Sequence, residues 1–213
     1  MHQIEEIAEH IRQSFDARTA ARDRALAQAR LLTRHCANAI RAIHRDEHSL
    51  AREHLADAQE LVKTLKTNLA EYPDLFFAGY TQDAFKEYAE ARLVFALAQD
   101  EDLPWPEELG LEPATYMQGL AEASGELRRR CLDQLRQGQS PEAERLLCLM
   151  DDIFTVLVTM DYPDAVTGGL RRLTDIARAV TERTRGDLTI SLRQEQLEKK
   201  LHRLEEHLSK AGE

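Results

Sequence analysis

The sequence predicts an all-α protein, and three observations support that prediction. Only 9 Gly and 6 Pro occur among the 213 residues, so few positions interrupt regular structure. Residue types that favour helices, such as Ala, Leu, Glu, Arg and Gln, are abundant, whereas β-branched runs are few. Apolar residues recur at helical rather than strand spacing. The 43% apolar fraction is sufficient for the core of one domain over residues 1–213.

The periodicity and the breaks in the chain predict six main helices. They span residues 4–44, 49–71, 74–98 (with 81 as the alternative start), 113–136, 140–157 and 170–208. Ser49 and Ser140 are candidate N-caps, because their hydroxyls can accept a bond from a backbone N–H of the first turn. We expect Trp105 to anchor the Pro-rich acidic connector at 100–113, and Gly186 is where the last helix can bend.

Several classes of protein are excluded by what the sequence lacks. The chain has no apolar run long enough to cross a bilayer and no secretory signal at its start, so we expect a soluble cytoplasmic protein without a membrane partner. Cys36, Cys131 and Cys148 lie far apart and lack paired-ligand spacing. Buried free thiols are therefore expected in place of a zinc site or a disulfide framework.

Charge is segregated along the chain. The net charge is −10, yet residues 17–45 contain seven Arg and one Asp. Residues 71–127 contain thirteen Asp and Glu but only two Lys and Arg. A negative sum therefore does not exclude binding of nucleic acid, because basic groups can be concentrated on one surface.

An acidic strip on the third predicted helix is the first candidate site. At about 100° per residue, Asp83, Glu87 and Glu90 fall within roughly 60° of one another, and Val94 and Leu97 continue the strip. Carboxylates crowded on a partly buried surface lose hydration and repel one another, so they require protons, cationic partners or a metal ion.

The next helix carries a second acidic cluster. Glu122 and Glu126 lie one turn apart, with Arg129 and Arg130 on the adjoining turn. One hypothesis is a divalent-metal nuclease, in which these glutamates and those of the preceding helix hold Mg²⁺ and an arginine binds a phosphate. The alternative, which spacing alone favours, is that the glutamates are solvated or paired with arginines.

The first helix also has a basic stripe. Its members project within roughly 60° of one another at helical rotation and could follow a phosphate backbone. They are Arg12, Arg30, Arg34, Arg41 and Arg45. The alternative is an ordinary solvated helix face.

Other metal chemistry has less support. A diiron bundle requires Glu-x-x-His pairs, and none of the eight histidines has Glu or Asp three residues before it. His44 and His48 lie one turn apart, but at a helix junction of mixed charge, so a surface pair is expected there.

Two motifs and the C-terminal region resemble the translin family, in particular its Trax branch. Residues 85–91, Phe-Lys-Glu-Tyr-Ala-Glu-Ala, are similar to the Trax acidic helix. Residues 116–131, Tyr-Met-Gln-Gly-Leu-Ala-Glu-Ala-Ser-Gly-Glu-Leu-Arg-Arg-Arg-Cys, resemble a family segment with an Asp where Glu122 stands. Residues 170–189 resemble the C-terminal helices of prokaryotic members, and the resemblance covers nearly the whole chain.

The resemblance implies a bundle of roughly seven helices that assembles into a hollow homo-oligomer, such as an octamer-like barrel. It further implies an Mg²⁺-dependent (or Mn²⁺-dependent) endoribonuclease that cleaves single-stranded RNA. Glu87 and Glu90 match its catalytic glutamates, Glu122 takes the place of a catalytic Asp, Glu126 matches the next acid and Arg129 a basic residue near RNA. The additional methylene of Glu122 alters the ligand geometry.

We expect five arginines to bind RNA: Arg30, Arg34, Arg41, Arg129 and Arg130. Two alternatives to the nuclease stay open. One is a non-catalytic module that binds single-stranded RNA or DNA, as translin itself is regarded, and the other is a helical assembly without nucleic acid. The Glu87 and Glu90 pair favours the nuclease, because translin lacks it in this form.

Overall fold

The protein consists of helices and connecting turns. The computed structural model describes the backbone of residues 2–211 and the side chains of residues 3–209. No strand occurs in residues 2–211, which contain nine helices. They are α1 (His2–His44), α2 (His48–Asn68), α3 (Pro73–Phe76), α4 (Gly79–Gln99), α5 (Pro106–Leu109), α6 (Pro113–Arg136), α7 (Ser140–Thr159), α8 (Asp164–Thr167) and α9 (Leu170–Ala211). The all-α prediction is confirmed: six helices are long, and three are single turns.

The chain divides into two compact units, the first of residues 1–120 and 166–168 and the second of residues 121–165 and 169–213. One domain over residues 1–213 stays a prediction. None of the helices in the described part of the chain has the length and apolarity that a membrane span requires.

In the first unit α1, α2 and α4 pack together. Alanines on α1 permit close approach of the neighbouring helices, and larger residues follow them on the same face. The buried residues of α1 are Ala21, Ala25, Ala29, Leu32, Cys36, Ala39, Ile40, Ala42 and Ile43. The predicted apolar face is only half buried, however, because Ile4, Ile7, Ile11 and Phe15 are 72%, 53%, 43% and 64% exposed.

In the second unit α7 packs along α9. Arg128 of α6 is hydrogen-bonded to α9. Its guanidinium donates to Thr184 Oγ1 at 3.0 Å and to Asp187 Oδ2 at 2.8 Å. Ser140 Oγ donates to Glu195 Oε2 at 2.7 Å. The α9 helix is continuous through Gly186. Its C-terminal leucines Leu197, Leu201, Leu204 and Leu208 are all more than half exposed.

Three local predictions were wrong. The N-caps of α2 and α7 are Glu47 and Gln139, and neither makes a side-chain cap bond. Ser140 instead uses its hydroxyl on α9. Trp105 is 71% exposed and does not anchor the connector, which is held by Tyr116 Oη donating to the Pro104 carbonyl at 2.9 Å.

Candidate functional site

The start of α4 is fixed by side chains that complete the preceding helix. Thr81 Oγ1 donates to the Leu75 carbonyl at 2.8 Å, and Gln82 Nε2 donates to the Phe76 carbonyl at 2.9 Å. These bonds satisfy carbonyls that the single-turn helix α3 leaves without intrahelical partners. The rotational position of α4, and with it the direction of its acidic side chains, follows from these bonds.

Glu87 and Glu90 lie on one face of α4, as the spacing predicts. One carboxylate oxygen from each lies within 4.8 Å of the other. Glu87 is half-buried, and Glu90 is only 9% exposed. Asp83, one turn earlier, is exposed and lies outside this buried acidic pair. The structure thus separates two acids that share a buried position from a third that faces solvent.

The pKa of the Cys36 thiol on α1 is affected by the negative charges of Glu87 and Glu90. Burial raises the pKa of Cys36 well above its usual range, and the carboxylates of Glu87 and Glu90 raise it further. The thiol is therefore protonated at neutral pH and is no nucleophile. Burial also raises the pKa of Tyr88 to about 12, although the Arg92 guanidinium acts in the opposite direction. The surroundings of the pair thus favour a cation over a further anion.

Helix α6 approaches α4 closely where it lacks a side chain. A Cβ placed on Gly119 would lie 2.5 Å from the Ala89 Cβ and 2.9 Å from the Glu90 backbone nitrogen. Thr115 Oγ1 also donates to Gln82 Oε1 at 2.8 Å. The first two turns of α6 are therefore fixed against the acidic part of α4.

The second acidic cluster follows along α6. Glu122 lies one turn beyond Gly119, about 4.5 Å further by helical rise, and Glu126 lies one turn beyond Glu122. Both glutamates are half-buried. Residues three, four and seven positions apart share one helix face, so Gly119, Glu122 and Glu126 point in similar directions from α6.

The predicted RNA-binding arginines differ in exposure. Arg30, Arg34 and Arg41 on α1 and Arg129 on α6 are exposed. Arg41 already donates to Asn38 Oδ1 at 2.6 Å, a bond along its own helix that an exposed phosphate could replace. Arg130 is only 8% exposed, which argues against the predicted contact between Arg130 and RNA.

The cysteines and histidines bring two further results. Cys36 and Cys131 are buried free thiols, whereas Cys148 is a free but exposed thiol, so the prediction was wrong for Cys148. Among the described residues, His35, His54 and Asp57 form a group of three possible metal ligands, and His44 and His48 belong to no such group of three. Only the His54-x-x-Asp57 spacing is visible in the sequence, since His35 lies on another helix.

Comparison with known proteins shows relatives over most of the chain. No family model matches it. An uncharacterised protein of Methanocaldococcus jannaschii, MJ0175, is 33% identical over 192 residues, covering 89% of this chain and 85% of that protein. The structure of AfC3PO in complex with duplex RNA is 32% identical with a TM-score of 0.82, and covers 88% of this chain and 97% of that one.

Two further solved structures agree in fold. The crystal structure of AfC3PO is 31% identical with a TM-score of 0.81, over 88% of this chain and 97% of that one. Apo-NeC3PO has a TM-score of 0.80 at 17% identity, over 86% of this chain and 96% of that one, which shows the fold alone.

The long helices and their order define an all-α subunit of the C3PO type. Sequence identity above 30% across most of both chains extends that likeness from the fold to ancestry. The chain belongs to the translin family. The C3PO structures are complexes of the translin/Trax type, and the resemblance seen in the sequence is confirmed.

Proposed function

We propose that the protein is a metal-dependent endoribonuclease that binds RNA in an oligomeric assembly. The observation that carries the proposal is the pair Glu87 and Glu90, two carboxylates held within 4.8 Å of each other on a largely buried helix face. Carboxylate oxygens that converge on one partly buried face can share a divalent cation, which offsets the repulsion between the two charges. A cytoplasmic location stays a prediction.

The residues fit a hard divalent cation. Mg²⁺ and Mn²⁺ prefer carboxylate oxygens, and no thiolate competes because the Cys36 thiol stays protonated. We assign Glu122 as the third ligand because the resemblance to the Trax motif at residues 116–131 implies it. Glu126 follows on the same face of α6 as a further, more distant acid.

The protein side chains then have separate roles in cleavage. Mg²⁺, when bound, supplies positive charge for a phosphodiester and a place at which an attacking water is oriented. Glu87 and Glu90 would hold the cation on the largely buried face of α4, with Glu122 as the further ligand that the resemblance implies. Arg129, which is exposed on α6, donates to a neighbouring phosphate.

RNA is the proposed nucleic acid. AfC3PO, which shares 32% identity with this chain, has been solved in complex with duplex RNA. The exposed arginines of α1 offer forked donors to phosphates whether the RNA is single- or double-stranded. We expect cleavage of single-stranded RNA, and duplex RNA is the matched comparison in the assay.

An oligomer is supported by exposed apolar residues on α1 and α9. Ile4, Ile7, Ile11 and Phe15 continue the apolar face of α1 beyond the part that the chain itself covers. A large apolar area on one helix face is typical of an interaction surface. We propose that further copies of the chain cover it, and light scattering of the purified protein measures the number of subunits.

Cleavage of labelled RNA by the purified protein, with Mg²⁺ or with chelator, tests the catalytic assignment. We expect Glu87→Gln/Glu90→Gln to lose at least about 100-fold in rate, because several kcal/mol of charge stabilisation depend on the bound cation. Asp83→Asn is the matched control, since Asp83 is an exposed acid on the same helix and its loss leaves the rate unchanged.

Two results would contradict parts of this assignment. Metal-dependent cleavage that survives the double substitution would exclude Glu87 and Glu90 as ligands. RNA binding without cleavage by the unaltered protein would favour the non-catalytic RNA-binding module.

Salt dependence of RNA binding tests the arginine surface of α1. Arg30→Ala/Arg34→Ala removes two exposed cations, so we expect weaker binding and a shallower slope of log affinity against log salt, by about 0.7 for each lost phosphate contact with single strands. Arg24→Ala, an exposed arginine of the same helix outside the stripe, is the control. A slope that does not change in the double variant would exclude this surface from RNA binding.

A further inference from the structure

A second group of metal-binding side chains lies between α1 and α2, apart from the acidic pair of α4. His35 belongs to α1, and His54 and Asp57 lie three residues apart on α2. One ligand atom from each lies within 4.8 Å of the other two. All three residues belong to the first unit. Two packed helices therefore bring two imidazoles and a carboxylate to one point.

Helix packing holds this group in place. Leu32 and Cys36 of α1 and Leu55 and Ala58 of α2 are buried beside it, which fixes both helices. The imidazole rings of His35 and His54 are in edge contact, with centroids 5.5 Å apart. The histidine positions are thus determined by the core and need little reorganisation to receive a ligand.

The imidazole nitrogens lack the hydrogen bonds that buried polar atoms normally make. Nδ1 of His54 is buried and has no hydrogen-bond partner among the described residues; Nδ1 of His35 is also buried and makes no hydrogen bond, although Asp57 Oδ2 lies 3.4 Å from it. Leaving such an atom unsatisfied costs about 1–3 kcal/mol. Coordination to a cation would satisfy either nitrogen, because neutral imidazole offers one lone pair.

The distances suit a small tetrahedral ion. Ligand atoms at about 2.0–2.2 Å from a tetrahedral ion lie roughly 3.3–3.6 Å from one another. His35 Nδ1 and Asp57 Oδ2 are already 3.4 Å apart. The Asp57 side chain is 62% exposed, so it can rotate to close the remaining gap.

We propose that His35, His54 and Asp57 bind a borderline divalent cation, with Zn²⁺ as the preferred ion. Two imidazoles and one carboxylate favour Zn²⁺ or Co²⁺ over Mg²⁺, which prefers oxygen ligands alone. Three protein ligands leave a fourth position for water or another small ligand. The ion would also fasten α1 to α2 and thereby stabilise the first unit.

Equilibrium dialysis of the chelator-treated, untagged full chain against ZnCl₂ or CoCl₂ tests this site. We expect bound Co²⁺ to show the visible absorption of a tetrahedral ion, and MgCl₂ not to displace it. His35→Gln and His54→Gln should each weaken binding by more than about 100-fold, because losing even an outer-sphere partner costs about 10–100-fold.

Controls separate this site from the nuclease proposal and from misfolding. Asp57→Asn changes an exposed side chain, so it should fold normally and still weaken binding. His10→Gln changes an exposed residue of α1 and should bind Zn²⁺ as the unaltered chain does, and the tetrahedral Co²⁺ absorption distinguishes the histidine site from the all-carboxylate site of the nuclease proposal. No bound ion on the unaltered chain, or affinity that is unchanged in both His54→Gln and Asp57→Asn, would overturn the proposal.

Discussion

On α4 a carboxylate is buried, whereas on the second half of α9 leucines face solvent. Glu90 is 9% exposed on a helix whose neighbours Tyr88, Ala89 and Ala91 have no exposure. Leu201, by contrast, is 51% exposed on a helix rich in charge. Both arrangements oppose the usual distribution, in which charge is solvated and leucine is buried.

The two departures have different explanations. A buried carboxylate costs free energy that its partners must offset, and in our proposal a bound cation is one of them. Exposed leucines at heptad-like spacing, with steps of four, three and four residues, form a seam that a partner helix would cover. Our proposals therefore give the two regions different partners, a cation at α4 and a further copy of the chain at α9.

Replacing the exposed leucines should give the largest effect. Leu201→Gln/Leu204→Gln removes two side chains that we expect to be buried between subunits, each contributing about 1.5–3 kcal/mol when fully buried. The oligomer should dissociate at concentrations where the unaltered protein stays assembled, as light scattering will show. The unfolding of the separated chain should change little, because both residues are exposed in it.

Lys200→Gln, an exposed change on the same part of α9, is the control and should keep the assembly intact. If the leucine variant has the same mass as the unaltered protein at every concentration, the exposed seam is not an interface.

The close packing around the acidic pair should give an intermediate effect. Gly119→Ala places a Cβ 2.5 Å from the Ala89 Cβ and 2.9 Å from the Glu90 nitrogen, so α6 must move away from α4. Overpacking of this kind costs about 1–3 kcal/mol, measurable by urea denaturation.

Gly125→Ala is the matched control on the same helix. Nothing lies within 4 Å of a Cβ at Gly125, so alanine should stabilise α6 by about 0.5–1 kcal/mol. Equal stability of the two variants would show that α6 does not press on α4 at Gly119.

Much of the fold could be predicted because it depends on local signals. The bounds of α6 follow from Pro113 and the apolar repeat, and the position of Glu87 and Glu90 on one face follows from helical spacing. The caps could not be predicted in this way, because Ser140 uses its hydroxyl on Glu195, fifty-five residues away. The burial of α1 could not be predicted either. Its apolar face is uniform in sequence, but other helices cover only part of its length.

For the candidate site, too, positions along one helix could be predicted, whereas contacts between helices could not. Periodicity placed two acids together, but only the structure shows that Glu90 is buried, that Asp83 is exposed and that Gly119 meets α4. His35 was missed since its partners lie on another helix, and the register between α1 and α2 decides which side chains meet. Contacts between helices depend on packing that no spacing within one helix reveals.

The smallest effect should come from two tyrosine hydroxyls. Tyr116→Phe removes the bond from Tyr116 Oη to the Pro104 carbonyl and should lower the free energy of unfolding by about 0.5–1.5 kcal/mol. Tyr88→Phe removes a buried hydroxyl with no hydrogen-bond partner among the described residues, so the free energy of unfolding should stay equal or rise. Urea denaturation at neutral pH compares the two variants.

Alkaline pH extends the comparison between buried and solvated polar groups to Tyr88 itself. Burial raises its pKa from 10.0 to about 12, so the unfolded chain loses the phenol proton first. The contribution of Tyr88 to stability is therefore complete below pH 10 and is lost as the pH rises towards 12. Tyr88→Phe should lose less stability than the unaltered protein across that interval, whereas parallel losses would mean that Tyr88 is solvated and that the interior beside Glu87 and Glu90 admits water.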